Sequence, residues 1–117
     1  MSNQYHEQVE KMDEQTKNFT RALMSLKEEI EAVDWYNQRV AATDDPELKE
    51  IMAHNRDEEI EHAIMTLEWL RRNMGTKWDE EMRTYLFTEG SIAHIEEAAM
   101  AGEQAEGKKG LNIGNLK

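Results

Sequence analysis

The one proline of this 117-residue chain stands at position 46, in the string TDDPE, and no glycine comes before position 75. Upstream, residues recur in a strict four-three rhythm: Val9, Met12, Thr16, Phe19, Leu23, Leu26, Ile30, Val33, Asn37 and Val40, with Thr16 and Asn37 as the polar interruptions. This is a heptad seam, the pattern of a helix packed along another helix. With nothing to break it, the spacing predicts one helix of roughly 35 residues ending near Thr43, about 50 Å long at 1.5 Å per residue. TDDPE then supplies a turn and a fresh start. Asp44 or Asp45 is suited to cap the second helix, and Pro46 fits its first position, where the missing N–H costs nothing. So short a connection makes the two helices antiparallel neighbours.

The second helix is expected from Pro46 to about Asn73, with Arg71 and Arg72 at its C-terminal dipole and Gly75 in the left-handed closing conformation. It carries two stripes. Leu48, Met52, Thr66 and Trp69 share one four-three track with Asn55, Glu59 and His62, while Ile60, Ala63, Ile64, Leu67, Leu70 and Met74 form another. One partner helix does not cover both, which implies burial against further chains unless a third helix folds back over the second stripe. That third segment is TKWDEEMRTYLF, expected to be capped by the Thr76 hydroxyl with Asp79 in support and interrupted at Gly90. Ser91 is in position to cap a last short helix to about Ala101. Four of the six Gly fall in residues 102–117, which read as a flexible linker ending in a short sticky peptide. The expected organisation is an all-α body over residues 1–101 followed by that tail.

Composition narrows the chemistry. Without Cys there is no disulfide, zinc knuckle or thiolate nucleophile, so any metal must be held by oxygen and imidazole. The net charge of −11 opposes nucleic-acid binding, which needs clustered Lys and Arg, and favours cations. Residues 102–117 carry two Glu and three Lys, leaving 23 acidic against 11 basic groups upstream, so the acidity belongs to the helical body. No apolar run approaches the roughly 18 residues of a membrane span, and the N-terminus is polar and acidic, so a cytosolic chain is expected.

Within the second helix, RDEEIEH places Glu59 and His62 three residues apart, on one helical face. A turn centred near residue 44 brings residues whose numbers add to about 88 to one level of the hairpin, which sets Glu29 opposite Glu59 with His62 one turn along. Burying so polar a pair unpartnered in an apolar stripe would be costly, and a second carboxylate gives it a reason. Tyr36 lies two turns from Glu29 on the same stripe, a phenol able to donate to a ligating carboxylate. An ordinary interhelical salt network through Arg56 or Arg39 is the alternative. One Glu plus one Glu-x-x-His is half the ligand set of four-helix ferritin-like carboxylate proteins, so two hairpins would complete it. Carboxylates with one imidazole per ion suit iron, with zinc and manganese as competitors. Glu28, Glu31 and Trp35 form a second stripe, either a solvated acidic face or a weak outer cation site. His6, His54 and His94 have no comparable setting.

The strings EEIEAVDWYNQRV, NRDEEIEHAIMTLEWLRRN and KWDEEMRTYLFTEG, spanning most of residues 28–90, resemble the encapsulated ferritins, cargo proteins of encapsulin compartments. The tail GLNIGNLK resembles that family's encapsulation peptide, which implies docking of Leu111, Ile113 and Leu116 into an apolar groove of the shell. The resemblance implies an antiparallel two-helix hairpin with a C-terminal helical extension. Pairs of subunits would complete four-helix-bundle-like centres holding two iron ions per pair, and the pairs would form an open decameric ring. It implies Glu29, Glu59 and His62 as ferroxidase ligands, Glu59 as the bridge, Tyr36 beside them, and Glu28 and Glu31 near Trp35 as a metal-entry site. The expected activity is oxidation of Fe(II) by dioxygen in the cytoplasm, inside a shell that stores the mineral. The competing expectations are a non-catalytic acidic helical adaptor and a di-metal peroxidase.

Overall fold

The computed structural model describes residues 5–97, which are largely helical, with no strand among the described residues. A 3-10 turn at Val9–Lys11 precedes α1 (Glu14–Ala42), α2 (Pro46–Asn73) and α3 (Lys77–Tyr85), and a second 3-10 turn follows at Ile92–His94. The chain divides into two compact units, Met1–Met74 and Gly75–Lys117. The first holds the α1–α2 hairpin.

α1 has 29 residues, fewer than the unbroken rhythm from Val9 predicts. Asp13 ends the discrepancy: it is extended, with ψ 174°, and its Oδ1 accepts from the Thr16 backbone N–H at 2.8 Å. The same Thr16 contact holds the Asp13 carboxyl below its usual value. Val9 and Met12 keep the expected spacing because residues three apart also share a side of a 3-10 turn. At the start of α2 the cap is Asp45, whose Oδ1 accepts from the Leu48 N–H at 2.9 Å. The Asp45 N–H in turn donates to Thr43 Oγ1 at 3.2 Å, which tightens the three-residue connection.

Contacts across the hairpin revise its simple register. Phe19 and Trp69 meet edge to face with ring centroids 6.1 Å apart, and their numbers add to 88 as expected. The polar contacts join residues further along. Arg56 Nη1 donates to Asn37 Oδ1 at 3.0 Å and Thr66 Oγ1 to Glu29 Oε1 at 3.2 Å, pairs that add to 93 and 95. Helical side chains lean toward their own N-terminus. In an antiparallel pair the two leans converge, so long polar side chains touch partners beyond the level position. Asn37, the polar break in the seam, thereby acquires its partner.

α2 closes as its composition predicts, with Met74 N–H bonded to the Leu70 carbonyl at 2.9 Å and Gly75 left-handed at φ 77°. In its last turns Glu68 accepts from Arg71 Nη2 at 2.7 Å and Nε at 2.9 Å, and from Arg72 Nε at 2.8 Å. Arg71, with Arg72 second, pulls the Glu68 carboxyl from its usual 4.5 down to about 2. A depressed carboxylate stabilises the fold above its unfolded value, and that contribution drains away as pH falls from 4.5 through about 2. Helicity followed against pH should therefore drop more steeply in that window for the native chain than for Glu68→Gln. Equal slopes would show that the cluster contributes nothing to acid stability, as exposed ion pairs sometimes do.

In the second unit the sequence expectations need correction. Thr76 stands at the N-cap of α3 but is itself helical and its hydroxyl makes no capping bond, while Asp79 pairs with Arg83 Nε at 2.9 Å instead of supporting the cap. α3 stops at Tyr85, before Gly90, and Phe87, 98% exposed as a residue, takes φ 61°. A non-glycine residue in that region interrupts helical geometry. Ser91 precedes only a 3-10 turn and does not cap it through its side chain. The expected helix end near Ala101 and the tail of residues 102–117 lie outside the described residues.

Among the described residues the buried apolar side chains are Ala63, Leu70 and Ile95, whereas Ile30, Leu48, Ile51, Ile60, Ile64, Met65 and Trp69 are exposed large hydrophobics within the hairpin alone. These exposed side chains leave the hairpin with apolar surface that faces water.

Candidate metal centre

Glu59 and His62 occupy successive turns of α2, and His62 Nδ1 lies 3.4 Å from Glu59 Oε1. Glu59 is mostly covered, with its side chain 27% exposed, and His62 is half exposed at 47%. Glu29 is partly buried on the facing helix α1, and its Oε1 accepts from the Thr66 hydroxyl, one turn past His62. The Thr66 hydroxyl also reaches the His62 carbonyl at 3.1 Å. The lean of side chains described above thus draws the Glu29 carboxylate beyond Glu59, its level neighbour, toward the C-terminal side of His62. Among the described residues no group of three or more His, Asp or Glu in one chain stands close enough together to hold a metal ion. The donors nevertheless match a carboxylate and imidazole site in type: one Glu from α1 and a Glu–His pair from the facing α2.

The alternative salt network takes other partners. Arg56 bonds Asn37 across the hairpin and Asp57 beside it at 3.1 Å, and the Arg39 guanidinium lies 5.1 Å above the Tyr36 ring. Tyr36 is partly buried beneath that cation. Glu28 and Glu31 are exposed on α1, and Trp35 is 49% exposed. A shallow hollow of about 490 Å³ opens beside that indole, lined by Trp35, Gln38, Arg39 and Ala42. Thr66 is the residue that sequence reasoning left without a role. Its signal was its place on the track of Glu59 and His62, four residues past the imidazole.

A helical hairpin that sets a lone Glu against a Glu-x-x-His pair on the facing helix is the half-bundle of a ferritin-like protein. An EncFtn-like family model matches residues 4–89 of this chain. The chain is 57% identical to the encapsulated ferritin-like protein of Rhodospirillum rubrum, an alignment covering 99% of this chain and 89% of that one. It is 56% identical to a ferritin-like protein of Thermotoga maritima, over 92% of this chain and 93% of that relative. A crystal structure of a Nitrosomonas europaea protein superposes with a TM-score of 0.73 at 54% identity, covering 77% of this chain and 98% of the other. The chain belongs to the EncFtn-like family of ferritin-like helical proteins.

Proposed function

We propose that this chain is a ferroxidase that works as a pair of hairpins. Glu29, Glu59 and His62 of each copy face their counterparts across the pairing surface and hold two ferrous ions between them, with Glu59 bridging and Tyr36 donating to a ligating carboxylate. Iron is the substrate, and each ion yields one electron. Two ions and two protons reduce dioxygen to hydrogen peroxide, and two such pairs supply the four electrons that carry it to water. The carboxylates neutralise the ferric product, and the imidazole completes the coordination of each ion. Glu28 and Glu31, exposed near Trp35, collect cations from solution through the acidic field of the body.

The observation that carries the reading is the incomplete donor set: a touching Glu59–His62 pair opposite Glu29, on a hairpin whose apolar stripes still face water. A second copy supplies the missing ligands and the missing cover together. The pairs assemble further into a decameric ring. The relative from Rhodospirillum rubrum bears the name encapsulated ferritin-like protein. By extension, Leu111, Ile113 and Leu116 of this chain dock the ring inside an encapsulin shell in the cytoplasm, where ferric iron is stored. No helix among the described residues is long and apolar enough to cross a membrane.

Aerobic Fe(II) oxidation followed by ferric absorbance tests the centre. Glu29→Ala, Glu59→Ala and His62→Ala should each fall to nearly the protein-free rate while the native protein greatly exceeds it. A native rate no higher than the protein-free rate, matched by all three variants, would leave a non-catalytic helical adaptor, and faster use of hydrogen peroxide than of dioxygen would make the same centre a peroxidase.

A further inference from the structure

Thr20, Thr66 and Thr84 each return their hydroxyl to the carbonyl four residues back, at 3.3, 3.1 and 2.9 Å. This back-bond is the ordinary state of a helical threonine. Of the three, only the Thr66 oxygen is also bonded to another helix, at 3.2 Å from Glu29 Oε1. Both of its neighbours are acceptors, and a hydroxyl carries one proton. The one proton is therefore shared between the Glu29 carboxylate and the His62 carbonyl. The branched side chain, stiff at χ1, keeps Oγ1 over the turn that carries His62. Donation to Glu29 then ties the α1 carboxylate to that turn.

We propose that Thr66 is a positioning residue of the metal centre: one hydroxyl holds the Glu29 carboxylate at the turn of α2 that carries His62. This rests on Glu29, Glu59 and His62 being the metal ligands. Glu29 meets the hydroxyl through Oε1. Oε2 stays available to a cation while Oε1 keeps the Thr66 hydrogen bond, so the hydroxyl orients the carboxylate in the metal-bound protein as well as in the metal-free chain. Hydrogen-bond partners that orient metal ligands are commonly worth about 10- to 100-fold in metal affinity.

The test is anaerobic titration of metal-free protein with Co(II), with affinity read by calorimetry and coordination by visible d–d absorption. Thr66→Val keeps the branched shape and removes the hydroxyl; Thr66→Ala removes it without adding a methyl; Thr66→Ser restores it. Both hydroxyl-free variants should bind Co(II) about 10- to 100-fold more weakly with an altered d–d band, and the Ser variant should recover most of the native affinity and spectrum. Glu29→Ala should lose saturable binding. Native affinity and spectrum in whichever of Thr66→Val and Thr66→Ala folds, beside loss of binding in Glu29→Ala, would overturn the positioning role and leave the metal centre standing. Failure of the native protein to bind Co(II), or undiminished binding by Glu29→Ala, would overturn both. Weakened binding that Ser does not rescue would assign the effect to packing and overturn the role of the hydroxyl.

Discussion

Replacing Ile64 with Glu should abolish both assembly and iron oxidation while leaving the helices of the single chain formed. Ile64 is 58% exposed and stands one turn from Ile60 at 43%, beside Met65 at 63%, on a part of α2 that remains exposed although Ala63 and Leu70 of the same stripe are buried. In the isolated chain a carboxylate at position 64 stays in water and costs little. On a face buried by a second copy it would be stripped of water without a cationic partner, a penalty of about several kcal/mol at each symmetric contact. In the proposed centre the ligands come from two chains, so oxidation should vanish with pairing. Sedimentation reads the assembly, circular dichroism the helices and ferric absorbance the activity. A variant that assembles and oxidises iron like the native protein would remove Ile64 and the exposed part of α2 around it from the pairing surface.

Leu70→Ala should produce the largest loss of fold stability of any single apolar truncation among the described residues. Leu70 is the one large side chain there with no solvent exposure. Truncating a fully buried leucine removes its transfer free energy and leaves a cavity, together about 2–5 kcal/mol. Small domains have only about 5–15 kcal/mol in all, so the effect is a large fraction of the total. The neighbouring exposed positions set the contrast: Ile64→Ala should change the unfolding midpoint of the metal-free chain little at a protein concentration low enough that the chains are unpaired. Urea unfolding at that dilution makes the comparison, since association adds its own stabilisation by mass action. Equal midpoints for the two variants would mean that Leu70 is not the anchor of the hairpin.

The hairpin was legible because its signals are local. Pro46, the Asp45 cap, the two basic residues near the end of α2 and the left-handed Gly75 are each decided by a few neighbouring backbone groups, and α2 runs over Pro46–Asn73 as expected. The start of α1 was not, because a four-three spacing does not distinguish the 3-10 turn at Val9–Lys11 from the first turn of an α-helix. Side-chain capping at Thr76 failed for a related reason: the residue type suits a cap, but its αR backbone does not.

Of the candidate centre, the residue types and their helices were in the sequence: a Glu on α1, and a Glu and a His one turn apart on the facing α2. Reach was not. Level positions follow from chain numbering, whereas contacts follow from where side-chain tips end up, and the opposed leans of two antiparallel helices carry Glu29 to Thr66. Asn37 found Arg56 by the same displacement. The sequence alone determined that two helices must fold back on each other around Pro46 and that carboxylate and imidazole would share one side of that hairpin, since periodicity and spacing dictate which residues share a face. Only the tertiary structure decided that one threonine hydroxyl stands between the Glu29 carboxylate and the His62 carbonyl, because that depends on the offset and rotation of one helix against the other, which no pattern within either helix contains.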